Sequence, residues 1–375
     1  MRLGNKFGNV FGQSDFMSER LKRLLGFGPA PKQVHPTATR EPVTHVVIID
    51  GTMSRLDEGY ETHAGTVFRM LSEMAPNRAV SLKYEQGIQW QGMRRVIDVM
   101  AGVGINRQIR RAYGFIASRY RPGDKIFLIG YSRGAYAVRS LAGVIDHVGL
   151  LKSEHATERN VRTAYRHYRL SPTSDGAAEF RKAFCHDQAP IEMVGVWDTV
   201  RALGFRAPIL WRFSPVEHEF HNPKLGNTVR NGYHALAMSE NRRVYEPVLW
   251  ESRADYTGNI EQVWFRGTHG DVGGHLLGFE PARPLANISL VWMLEKAEGC
   301  GLPLPYGWKH RFECDAEAPS VGAWRGWAKL FWLRKKRVVG MDRSERVHET
   351  STQPRPSLLR DLISVPADLW RNRKA

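Results

Sequence analysis

The sequence predicts an α/β fold with a mostly parallel central sheet flanked by helices. Short β-branched apolar runs recur along the middle of the chain, each of strand rather than helix length. Stretches with apolar residues at three- and four-residue steps lie between them, as the buried faces of helices require. Several runs end in an acid, a glycine or a histidine, and the carboxyl ends of parallel strands are where such sheets gather reactive groups.

Taken in order, "HVVIID" (45–50) is a strand ending at Asp50-Gly51-Thr52. A helical stretch around "GTVFRMLSEM" follows, then a strand at "AVSLKYE" (79–85). "GINRQIRRAYGFIASRY" (104–120) has helical spacing, and Pro122-Gly123 breaks it. Ile126 to Ile129 form a fully apolar strand, and Ala135, Val138, Leu141, Ala142 and Ile145 mark one face of the next helix. "IEMVGVWDTV" (191–200) and "IEQVWFRGTHGDVGGH" (260–275) are strands, the first closed by an acid and the second by a histidine loop. "NISLVWMLEKAEGCG" (287–301) is a helix closed by glycine. His234, in "YHALAMSENRR", is expected on a helix. Residues 150–190 and 201–250 are expected as insertions forming a cap over the sheet edge.

The join between the strand at 126–129 and its helix reads Gly130-Tyr131-Ser132-Arg133-Gly134. A strand that enters a helix this abruptly strains the turn residue, and the positions two before and two after it must be small. Ser132 between Gly130 and Gly134 has the form of a nucleophile elbow, which lifts a serine hydroxyl above the sheet edge. A loop serine with glycines that merely relieve packing is the plainer reading. A nucleophilic serine needs a base and an acid to orient that base. Asp198 follows Ser132 by 66 residues, directly after "MVGVW", and His269 follows by a further 71, directly after "QVWF". That chain order and strand-end placement match an α/β-hydrolase. The oxyanion hole would use the N–H of Arg133 and one from Gly51 or Thr52, with Asp50 bracing that loop.

Rival readings accompany each residue. Asp198 would also serve as a helix cap. His269, Asp271 and His275 have the look of metal ligands, yet no second histidine–carboxylate cluster completes a shell, and neither a metal nor another cofactor is expected.

The net charge is +16, from 54 Lys and Arg against 38 Asp and Glu. Residues 1–40 hold seven basic and two acidic residues and residues 301–375 hold fifteen and eight, so the body between carries only +4. "WRGWAKLFWLRKKR" (324–337) mixes rings with cations, as a segment lying on anionic lipid does. A terminal helix with a solvated basic face explains the same residues. Charge with aromatics also suits single-stranded nucleic acid, which is not the expected partner. Three scattered cysteines suit neither a disulfide framework nor a zinc site, so a reducing compartment of synthesis is expected. Neither a secretory signal nor a membrane span is expected.

"HVVIIDGT", "IGYSRGAYAVRSLAG", "VGVWDTVRALG", "YHALAMSENRRVYEPVLW" and "VWFRGTHGDVGG" stand in an order that resembles one bacterial family over residues 43–300. It is similar to the catalytic domain of type VI secretion lipase effectors, the Tle-like α/β-hydrolases. The resemblance implies a serine hydrolase, best known as a phospholipase acting on glycerophospholipid acyl esters, with Ser132, Asp198 and His269 as triad. It places Asp50 and Asp271 as supporting residues, beside Gly130 and Gly134. It also implies synthesis in the bacterial cytoplasm, export by type VI secretion, and immunity or secretion partners. The chain departs from the family where a Trp-Asn continuation is replaced by Met53-Ser54.

The expected organisation is a basic extension at 1–40, a hydrolase domain at 41–310 and a basic aromatic segment at 311–375. The expected function is phospholipase or lipase activity on membrane glycerophospholipids. A soluble carboxylesterase or thioesterase and a non-catalytic hydrolase-fold interaction module are the alternatives.

Overall fold

A computed structural model describes residues 40–74, 79–87, 103–200, 224–323 and 333–351. The chain divides into Met1–Glu41 and Pro42–Ala375, and the second unit carries every described element. Its strands are β1 (Thr44–Ile49), β2 (Val80–Glu85), β3 (Lys125–Tyr131), β4 (Ile191–Trp197), β5 (Val229–Ala237), β6 (Asn259–Phe265) and β7 (Glu345–Val347). They form one sheet in the order β2-β1-β3-β4-β5-β6-β7, and every pairing is parallel. The α/β class expected from the sequence is therefore the class observed.

Side chains alternate across a strand, so each strand feeds two cores. Val47, Ile49 and Leu128 face α2 (Val103–Ala117), α3 (Arg133–His147), α4 (Glu158–Leu170) and α5 (Asp175–Phe184). Val46, Ile48 and Phe127 face α1 (His63–Ser72) and α7 (Arg283–Gly299). Both sets are fully buried, which explains why these strands read as continuous apolar runs rather than alternating ones.

Three expectations need correction. Residues 229–237 are not insertion but the central strand β5, paired with β4 on one side and β6 on the other. Its Tyr-His-Ala-Leu-Ala stretch has modest strand propensity, and two neighbouring ladders override that preference. His234 consequently lies on a strand, fully buried, and its Nε2 accepts from Thr199 N–H at 3.1 Å. Burial pushes its imidazole down to about 3, so the ring stays neutral and structural. Residues 150–190 carry α4 and α5, whose Tyr165, Tyr168 and Phe180 join the core beneath the sheet. The rest of the expected cap, residues 201–223, lies outside the described residues.

Residues 333–348 pack onto the body: Arg334 bridges antiparallel to Arg242, and β7 extends the sheet beside β6. Two of its basic residues have specific partners, Arg334 donating to Asn241 Oδ1 at 2.6 Å and the exposed Lys335 to Glu246 at 2.7 Å. The aromatic part, 324–332, lies outside the described residues.

Candidate active site

The sheet register alone places two of the expected residues side by side. Tyr131 pairs with Trp197, so Ser132 and Asp198 are each the first residue past adjacent strand ends. Ser132 N–H donates to Trp197 O at 3.0 Å and Asp198 N–H to Ala235 O at 2.7 Å, which continues the ladder by one rung. Both residues have positive φ, 56° at Ser132 and 41° at Asp198. Non-glycine residues held there cost roughly 1–3 kcal/mol each, a signature of functional turns.

The strain at Ser132 is imposed by close packing of the elbow. A Cβ on Gly130 would stand 2.7 Å from Gly134 O, and one on Gly134 would fall onto the carbonyl of Ile49. The turn thus fits between β1 and β3 only with glycine on both sides. Gly134→Ala is expected to destabilise the fold by about 3 kcal/mol, since the clash is with backbone that cannot rotate away. A urea titration of the purified variant against wild type checks it.

His269 reaches the same point from β6. It opens the short helix α6 (His269–Gly273), with Thr268 as N-cap. Asp271 secures that turn: its Oδ2 accepts Thr268 N–H at 2.7 Å and the Ser320 hydroxyl at 2.6 Å, and its Oδ1 accepts Val321 N–H at 2.7 Å. Asp271 is therefore engaged as a cap. Among the described residues no group of three or more His, Cys, Asp or Glu side chains is arranged to hold a metal ion.

The three side chains form one chain of hydrogen bonds. Ser132 Oγ is 2.9 Å from His269 Nε2, and His269 Nδ1 is 2.6 Å from Asp198 Oδ2. The imidazole is clamped between two rings, Tyr131 at 4.9 Å and Tyr245 at 4.6 Å between centroids, both nearly parallel to it. Glu240 accepts the His269 backbone N–H at 3.2 Å and is itself held by Arg242, whose guanidinium lies over the Tyr245 ring. These contacts leave the ring little freedom to turn away from the serine.

Asp198 is fully buried. Its Oδ1 accepts Ala237 N–H at 3.0 Å, and Arg337 grips both oxygens, at 2.5 Å and 2.9 Å. Burial alone pushes the carboxyl up, but the Arg337 charge and the hydrogen bond from His269 outweigh it. The group is held well below the usual carboxylate range.

The β1 loop sits against the nucleophile, since a Cβ on Gly51 would lie 3.4 Å from Ser132 Cβ. Asp50 braces that loop. Its carboxylate accepts Gly51 N–H at 2.6 Å, the Thr62 hydroxyl at 2.7 Å and the Tyr84 hydroxyl at 2.7 Å. Burial raises the Asp50 carboxyl despite these donors. The Gly51 N–H, one of the two expected second oxyanion donors, is thus engaged by Asp50. Arg133 N–H stands at the first position of α3, where no intrahelical partner exists.

Residues 44–296 match the family described as T6SS, Phospholipase effector Tle1-like, catalytic domain. The chain belongs to that family. Three further likenesses accompany the match. A Saccharomyces cerevisiae protein, Uncharacterized protein YEL023C, is 33% identical over 144 residues, which is 34% of this chain and 21% of that protein. A crystal structure of an uncharacterized protein from Pseudomonas aeruginosa is 14% identical with a TM-score of 0.40, over 78% of this chain and 50% of that one. The Tle1 effector bound to the VgrG spike of the type 6 secretion system is 17% identical with a TM-score of 0.30, over 62% and 51%. The chain thus spans about a fifth of the yeast relative's length and about half that of either solved structure.

Sequence reading identified the three hydrogen-bonded residues and the bracing Asp50 and Asp271, but not the other supports. Glu240, Arg242 and Tyr245 lie in "SENRRVYEP", a stretch that marks the Tle1-like pattern without revealing what each residue does. Arg337 sits in a run of basic residues beyond the family's bounds, where composition alone cannot separate an inward arginine from its solvated neighbours.

Proposed function

We propose that this Tle1-like domain is a serine ester hydrolase that cleaves acyl esters of glycerophospholipids. The unbroken hydrogen-bond chain from Ser132 through His269 to Asp198, on three strand ends of one sheet, carries the reading. His269 Nε2 takes the Ser132 proton as Oγ attacks the ester carbonyl, and Asp198 holds the Nδ1–H tautomer. The tetrahedral oxyanion rests on the N–H of Arg133 and, with Gly51 engaged, on that of Thr52. Collapse expels the alcohol, which takes the proton from His269. Water activated by the same imidazole then hydrolyses the acyl-enzyme and frees the fatty acid.

Family membership supports the phospholipid substrate, and with it synthesis in the cytoplasm followed by type VI export. Among the described residues no helix is long and apolar enough to cross a membrane. The test is product analysis on mixed phospholipid vesicles, wild type against Ser132→Ala. Fatty acid and lysophospholipid from the wild type alone bear the reading out. A protein whose Ser132 reacts with a fluorophosphonate but which releases nothing from vesicles is instead an esterase of soluble substrates.

A further inference from the structure

Residues 333–348 form a strap across the sheet's carboxyl edge that is pinned on both sides of Arg337. Before it, Lys335 N–H donates to Asn241 O at 2.7 Å and Arg243 N–H to Leu333 O at 2.9 Å. After it, Asp342 accepts Ser252 N–H at 2.7 Å, Gln262 N–H donates to Ser344 O at 3.0 Å, and Glu345 accepts the Trp264 indole N–H at 2.7 Å. Between these pins Arg337 turns inward, its side chain 4% exposed, and also donates to Ala237 O at 2.8 Å and to Tyr245 O.

Arginine at this place is chemically consequential. A triad acid ordinarily presents its whole charge to the imidazolium that forms during catalysis. Here a guanidinium fork takes both carboxylate oxygens and offsets that charge. The other charged or titratable groups around the ring do not do this. Glu240 is already neutralised by Arg242, Tyr131 and Tyr245 are phenols pushed up by burial, and burial pushes His275, beyond His269 on its own loop, down to about 4. Arg337 is the one cation bonded to Asp198 among the described residues. It lies outside residues 44–296, the part of the chain that matches the family.

We propose that Arg337 is a positioning residue for the Ser132–His269–Asp198 set: delivered by the strap, it fixes the acid at two points and sets the pH at which His269 acts as a base. The role rests on the serine-hydrolase reading, so the test pairs turnover with a readout independent of it. Full-length wild type, Arg337→Gln and Arg337→Lys are compared by the pH profile of kcat/KM on an uncharged short-chain ester. The same proteins, with labelled histidine, are followed by NMR titration of the His269 ring.

Removing the cation leaves Asp198 free to stabilise the imidazolium. In Arg337→Gln the acidic limb and the ring midpoint therefore both move upward, by about one pH unit, the lower end of what a nearby charge produces. Loss of the fork also lowers kcat/KM about 10- to 100-fold through misplacement of the acid. Arg337→Lys keeps the charge without the fork, so its limb stays near wild type while kcat/KM falls about 10-fold. A folded glutamine variant with the wild-type limb and ring midpoint overturns the proposal, leaving the hydrolase reading intact. Should the glutamine variant fail to fold, a lysine variant with undiminished kcat/KM overturns it instead. A wild type without Ser132-dependent hydrolysis overturns the hydrolase reading and the catalytic role with it, while the ring titration still reports whether Arg337 governs His269.

Discussion

Ser132→Ala is expected to lower ester hydrolysis about 10⁶-fold, the loss typical of removing a triad nucleophile. The melting temperature should stay within a few degrees of wild type. Among the described residues the serine hydroxyl bonds only His269 Nε2, and alanine keeps the Cβ that already fits the turn at φ 56°. The hydroxyl's contribution to the fold is therefore small, and nearly all its effect falls on the reaction. Steady-state kinetics with a scanning calorimetry trace checks both halves. An alanine variant that still hydrolyses esters at more than a thousandth of the wild-type rate would place the nucleophile elsewhere.

Asp198→Asn should be costly in two ways. An amide nitrogen facing His269 Nδ1 favours the wrong tautomer, and loss of that function lowers kcat about 10⁴-fold. It also leaves the Arg337 guanidinium buried without a counter-charge. Breaking one side of such a pair costs about 3–5 kcal/mol, so this variant, unlike Ser132→Ala, should melt far lower. The same pair predicts how wild type responds to acid. The folded Asp198 carboxyl lies below its unfolded value, so its contribution to stability is complete above the ordinary carboxylate range. It is lost as pH falls through the folded value. Asp198→Asn should flatten the acid side of the stability curve, which a pH series of urea titrations reads directly.

Legibility in the sequence followed burial. β1, β3 and β4 are covered on both faces and read as apolar runs, and β6 ends in the buried Val263-Trp264-Phe265, so the strand ends carrying Ser132, Asp198 and His269 were legible in order. β5 was missed because Gly232, His234 and its alanines contribute little β-branched signal, and pairing on both sides does the specifying. β7 has only three residues, and its parallel pairing with β6 is invisible to any local pattern. The supports of the histidine were missed for a related reason. Glu240, Arg242 and Arg337 are charged residues buried by mutual compensation, and a sequence shows the charge without showing the partner. The opposite holds for Gly130 and Gly134, where a steric demand at fixed spacing left its mark in the residues themselves.

The strap has a consequence for biosynthesis. A ribosome delivers Ser132, Asp198 and His269 well before Arg337, and β7 is the last of the described strands to emerge. While the chain is still growing, the acid lacks its guanidinium and the sheet its edge. A nascent polypeptide, or one released by a premature stop between residues 270 and 337, holds Ser132, Asp198 and His269 yet not the finished site. Translation order therefore leaves the proposed hydrolytic centre unfinished until the chain has been made past its strap.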